Sequence, residues 1–238
     1  MAGIIAPNIA TDGLILYLDA ANPKSYPGSG LTIFNLTTNP TYRSMSLFGD
    51  TNNYGSIGNG VVTLGGAGNS TSSGTILRGL GDLGSTLNSN FTSMGWQYRT
   101  SSKSGEILSY KETGFRLSFD ITDTAMSFLQ REQTSPNTTR STSVSVANAL
   151  NVWNHFALVR SDNTWSFYKN GILLVANSFI PTETLFGSAF HIGGAWTDDD
   201  FLSNCMDGQV GATMHYTRAL TASEILQNYN SLKGRYGL

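Results

Sequence analysis

With 14 Lys and Arg against 16 Asp and Glu over 238 residues, the chain has a formal net charge of −2, and no basic run interrupts it. The electrostatic footprint of a nucleic-acid or anionic-membrane binder is missing, so neither partner is expected. Only 13% of residues are charged, about half the usual share, whereas 26 are Gly and one, Cys205, is Cys. This composition suits short strands joined by tight turns, with no disulfide.

At this length all-β sandwiches commonly form one unit, and roughly 70 to 75% of the unfolded surface can be buried, enough for a large core. One domain over residues 1–238 is expected, an all-β two-sheet antiparallel sandwich with a single short C-terminal helix. The opening MAGIIAPNIATDG has neither the basic region nor the apolar stretch of an export signal, and no segment reaches transmembrane length. Synthesis in a cytoplasm without export is the expectation, with residues 1–11 as an arm outside the sandwich.

Residues 49–84 are rich in Gly, Ser and Asn, with apolar islands at Val61 to Leu64 and Ile76 to Leu77, and read as strands joined by long loops. Phe115, Leu117, Phe119 and Ile121 alternate with Arg116, Ser118 and Asp120, the period of a half-buried strand, and Met126 and Phe128 continue it. Phe156, Ala157, Leu158 and Val159 are apolar at consecutive positions, as in a central strand covered on both sides. Ser161 to Asn163 form a turn, Trp165 and Phe167 alternate in the next strand, and Asn170-Gly171 is a strong signal for a two-residue hairpin turn, with Ile172 to Val175 returning.

Val210, Ala212, Met214 and Tyr216 mark a last strand. Thr221 and Glu224 then make a capping box for a helix over 221–233. Ile225, Leu226, Tyr229 and Leu232 line one face of it, and Gly234 is read as its stop. Such a helix is expected to cover an edge of the sandwich. Residues 234–238, like the N-terminal arm, are expected to lie outside the core.

Two segments carry a family resemblance. NVWNHFALVRSDNTWSFYKNGILL, from Asn151 to Leu174, resembles the core of laminin-G-like domains in its Trp, His, strand, turn, strand and Asn-Gly. FHIGGAWTDDDFLSNCMDGQVGATMHYTRALTASEI is similar to the region that closes them. The opening DGLILYLDAANPKSYPGSG resembles the first strand and loop of such domains in structural proteins of tailed phages. The resemblance implies a concanavalin A-like jelly roll. It further implies a non-enzymatic virion component, a capsid decoration, fibre or baseplate module, that contacts other virion proteins, forms homo-oligomers and touches a host surface glycan. The alternatives are a soluble lectin and a glycoside hydrolase.

Carboxylates, histidines and loop aromatics each have a purely structural role as the competing reading. Retaining glycoside hydrolysis needs two carboxyl groups about 5 to 5.5 Å apart, which on one strand means acids at alternate positions. The nearest approaches are Asp120 with Asp123, at odd spacing, and the run Asp198, Asp199 and Asp200, so no catalysis is expected. That acidic run is the candidate Ca²⁺ site, because Ca²⁺ takes oxygen ligands and laminin-G-like domains hold Ca²⁺ at a rim loop; the competing reading is an acidic loop facing water. Trp196, Asp198, Asp199 and Asn204 are the candidate glycan contacts, since a ring stacks on a sugar's apolar face and polar groups take its hydroxyls. His155, His191 and His215 lack the paired spacing of a zinc site, and Cys205 reads as a small core residue.

Overall fold

The central strands of one sheet bury both of their faces, and the architecture follows from this. In β12 (Trp153–Ser161), Phe156 and Leu158 enter an apolar layer between two sheets, while Ala157 and Val159 enter a second layer beneath the C-terminal helix. Four consecutive apolar residues can all be buried only where both faces are covered. The computed structural model describes residues 8–51, 55–65, 74–80, 86–87, 89–112, 115–132, 139–180, 189–196, 202–203 and 205–238.

The first sheet runs from edge to edge as β14 (Ile172–Ser178), β13 (Thr164–Lys169), β12, β7 (Phe91–Arg99), β18 (Gly208–Tyr216), β5 (Val61–Leu64) and β4 (Ser56–Gly58), with β1 (Leu14–Leu18) also pairing on β18. The second sheet runs as β11 (Thr139–Ser145), β10 (Ala125–Glu132), β9 (Phe115–Ile121), β8 (Gly105–Glu112), β15 (Ala189–Ile192), β6 (Thr75–Leu80), β3 (Ser44–Gly49) and β2 (Thr32–Phe34). Every described pairing is antiparallel. A small hairpin, β16 (Ala195–Trp196) with β17 (Leu202–Ser203), stands apart. The layer between the sheets holds Phe119, Ile121, Met126 and Phe128 from the second sheet and Trp165 and Phe167 from the first, with Phe128 stacked 4.1 Å from the Trp165 ring. At Asn170-Gly171 both residues have positive φ, 51° and 79°, as the two-residue turn requires.

Three expectations are corrected. Val210 does not share a face with Ala212, Met214 and Tyr216: a bulge between Val210 and Thr213 turns Val210 into the inter-sheet layer and leaves the other three in the second layer, because one extra residue inverts the alternation. The helix α1 (Ala222–Leu232) has its capping box at Thr221 and Glu224, but it lies on the outer face of the first sheet and not on an edge. Its buried face is Ile225, Asn228 and Leu232 with Tyr229 partly covered, whereas Leu226 is exposed. The chain continues through a 3-10 turn at Lys233–Tyr236, and Gly237, with φ 76°, is the left-handed stop, not Gly234.

The third correction concerns the chain ends. Ile9 and Ala10 pack on the second layer, where the Ala10 amide donates to Asn228 Oδ1 at 2.8 Å and the Tyr216 hydroxyl donates to the Ala10 carbonyl at 2.9 Å. Tyr236 stacks 4.2 Å from Trp96, and its hydroxyl accepts from the Ala212 amide at 2.7 Å. Residues 8–11 and 233–236 are therefore part of the packed structure, while residues 1–7 lie outside the described residues.

Candidate functional site

Strand pleating sends Met45, Leu47, Leu77, Phe190 and Ile192 of the second sheet into the core, so their neighbours face outward. Register then places one residue per strand in a transverse line: Thr32, Ser46, Arg78, His191, Ser109 and Ser118. Every member is polar. Ser109, Ser118 and His191 are buried, and Ser109 Oγ donates to the Gly194 carbonyl at 2.8 Å. Toward β2 the line opens to solvent, with Ser46 and Arg78 half-buried.

At that open end lies a groove of about 270 Å³ lined by Pro40, Thr41, Arg43, Ser44, Ser46 and Arg78. Its floor is the sheet itself. Ser46 Oγ and Thr32 Oγ1 are 2.9 Å apart, and the Arg78 guanidinium lies over the Phe48 ring at 4.9 Å, a cation-π contact that holds the side chain. Its wall is the segment 35–43, held by backbone bonds from Asn35 to the Arg43 carbonyl and from Leu36 to the Tyr17 carbonyl, by the Thr37 hydroxyl on the Ile15 carbonyl, and by the Asn35 side chain. Asn35 Nδ2 donates to the carbonyls of Ile15 at 2.8 Å and Tyr42 at 2.6 Å, and Oδ1 accepts from the amides of Tyr17 at 2.8 Å and Thr37 at 3.1 Å. Tyr42 is buried edge-on against Phe190 at 6.0 Å. Arg43, the next residue, is exposed, and its Nε donates to the Pro40 carbonyl at 3.1 Å.

The candidates read from the sequence lie elsewhere. Trp196 pairs with Leu202 in the β16–β17 hairpin; Asp198, Asp199, Asp200 and Asn204 lie outside the described residues. The three histidines do not converge. His155 sits in the second layer against Trp96 and Tyr229, His215 lies between Ser93 and Thr86 beside Phe91, and His191 is on the outer face of the second sheet. Among the described residues, no group of three His, Cys, Asp or Glu is arranged to hold a metal ion. Burial, with Glu106 adding to it, pushes the Cys205 thiol up to about 12, so it is an inert core residue.

One carboxylate relationship escaped the sequence reading. Glu106 on β8 and Asp120 on β9 are register partners across the two strands, so their side chains share a face. Spacing along a single strand cannot reveal such a pair. Glu106 is fully buried. The groove was equally illegible, because its residues come from the stretch 40–46 and from Arg78, which carry no motif; the one local signal was the turn-forming Asn39-Pro40.

Two antiparallel sheets, a packed layer between them and a polar outer face define a lectin-like jelly-roll sandwich. The chain belongs to the concanavalin A-like lectin/glucanases superfamily, whose laminin-G-type family model matches residues 66–226. No curated protein sequence matches it. Among solved structures, it is similar to the binding domain of botulinum neurotoxin DC in complex with SialylT (TM-score 0.62, 14% identity, 93% of this chain and 52% of that one). It is also similar to the same binding domain in complex with rat synaptotagmin II (0.63, 13%, 92% and 52%), and to Trypanosoma rangeli sialidase (0.58, 17%, 94% and 34%). The chain thus spans about half or a third of the length of these structures, and the likeness is one of fold.

Proposed function

We propose that this protein is a non-enzymatic binding module that holds a glycan on the outer face of its second sheet. The observation that carries this reading is the groove beside Arg43 and Arg78, where three hydroxyl side chains and two guanidinium groups stand on a rigid sheet and a pinned loop. Sugars are bound by such preset hydroxyl, amide and guanidinium donors, which need little ordering when the ligand arrives. At about 270 Å³ the groove falls just under the roughly 300 Å³ where pockets for drug-sized ligands begin, so it suits one sugar residue of a longer chain. The neurotoxin binding domain bound to SialylT supports the use of this fold in recognition. A role without catalysis is supported by the burial of Glu106, which keeps a substrate from reaching it together with Asp120.

The setting we propose is the outside of a tailed-phage particle, on the strength of the resemblance in the opening and closing segments, with other virion proteins and further copies of the chain as neighbours. Calcium enters through Asp198, Asp199 and Asp200 on ligand type alone; identical melting curves in saturating Ca²⁺ and in excess chelator remove it from the proposal.

The deciding experiment is a glycan array probed with the full chain, alongside hydrolysis assays on the bound glycans. Saturable binding with no turnover is expected. Turnover abolished by Glu106→Gln or Asp120→Asn overturns the non-enzymatic reading, and absence of any glycan binding overturns the groove. Mass spectrometry of intact particles tests the setting: absence of the protein from virions leaves a soluble lectin in its place.

A further inference from the structure

Building on the glycan-binding reading, we infer that the groove selects an acidic sugar residue, one that bears a carboxylate, and that Arg43 reads that charge. The composition of the lining is the first ground. Only 14 of 238 residues are basic and the chain is net negative, so six positions taken at random would hold fewer than one Lys or Arg. Among the described residues that line it there are two, Arg43 and Arg78, and none is acidic.

Geometry is the second ground. Arg43 is exposed, and its one described hydrogen bond, from Nε to the Pro40 carbonyl at 3.1 Å, uses the nitrogen on the stem side of the guanidinium. That bond fixes the plane of the group and leaves both terminal nitrogens as a fork, the arrangement that meets a carboxylate with two parallel bonds. A neutral sugar hydroxyl can use one tine of such a fork and leaves the charge unmatched. Arg78, held over Phe48, forms the other side of the groove, and the hydroxyls of Thr41, Ser44 and Ser46 between them match the ring hydroxyls of the same sugar.

Preorganisation is the third. The backbone carrying Pro40, Thr41 and Arg43 is tied to β1 through Asn35 and to the core through Tyr42. The backbone that carries the fork is therefore in place before the ligand arrives, which lowers the ordering cost of binding.

The test is calorimetric titration of the full chain with sugars paired to differ at the carboxylate: sialyllactose against its carboxyl methyl ester, a glucuronate-terminated disaccharide against its glucose counterpart, and a sulfated galactoside as a third arm. The carboxylate member of each pair is expected to bind at least about tenfold tighter, equivalent to about 1.4 kcal/mol, and the ratio should shrink as salt rises. In Arg43→Gln, with its melting temperature confirmed unchanged, the ratio should fall toward one. Equal affinity for acidic and neutral partners overturns the inference while leaving glycan binding intact. Discrimination that survives Arg43→Gln overturns it as well, as does binding of the sulfated sugar without the carboxylates. Failure of every sugar to bind overturns the glycan reading itself.

Discussion

Asp19, near the start of the chain, receives both terminal nitrogens of Arg235, near its end, at 2.8 Å each. The carboxylate is almost fully buried and also accepts from the Ala21 amide at 3.1 Å and the Tyr17 hydroxyl at 3.2 Å. Arg235→Ala leaves that charge without its counterion. Breaking a buried pair costs roughly 3 to 5 kcal/mol, and about 2 to 3 kcal/mol is expected here because the guanidinium keeps part of its surface in water. Thermal melting checks it: a variant as stable as the parent would show the bridge to be ornamental. Truncation before Gly234 should cost more, since it also removes Tyr236 from its stack on Trp96.

Gly171→Val places a β-branched residue at φ 79°. The backbone penalty is roughly 1 to 3 kcal/mol. A Cβ there would also lie 3.0 Å from Leu226 Cδ1 and 3.1 Å from Tyr229 Cδ1, pressing on α1. Urea denaturation should show a lowered midpoint with an unchanged slope, and an unchanged midpoint would mean that the turn is not formed as described.

Acid should unfold the protein through two histidines. Burial holds His155 and His215 down to about 3 from an ordinary 6.5, so both are neutral in the native state and take up protons on unfolding. Their contribution is complete above pH 6.5 and is lost as pH falls from 6.5 toward 3, by up to about 1.4 kcal/mol per pH unit for each ring. Glu224, lowered to about 2 from 4.5 by its hydrogen bond from Arg218, acts only below pH 4.5. The interval between 6.5 and 4.5 therefore isolates the histidines. His155→Phe should remove about half of the slope there, and a melting temperature flat across that interval would refute the account.

Asn35→Ala should loosen the wall of the groove without touching its lining. The Tyr17 and Thr37 amides and the Tyr42 carbonyl lose this partner, while the Ile15 carbonyl keeps Thr37 Oγ1, and a loss of roughly 2 to 3 kcal/mol is expected. Asn35→Asp keeps the acceptor but sets a carboxylate oxygen against the Ile15 and Tyr42 carbonyls, so it should be at least as destabilising. Weaker glycan binding at temperatures where the variant is still folded would tie the loop to the site; unaltered binding would separate them.

Local chemistry along the chain determined the strands, the Asn170-Gly171 turn, the burial of β12 on both faces and the capping box at Thr221. Each depends on residues adjacent in sequence, whose periodicity or φ preference operates before any long-range contact forms. Tertiary structure alone decided the rest. A bulge split Val210 from its apparent companions, and Asn228 became a buried partner of Tyr216 and Ala10, at 3.0 and 2.8 Å, while Leu226 remained exposed. The register of five strands brought Ser46, Arg78, His191, Ser109 and Ser118 into one line. The candidate site belongs to this second group: Pro40 to Ser46 are near neighbours in sequence but carry no motif, and Arg78 joins them only when β6 pairs with β3, so no spacing rule along the chain can encode the groove.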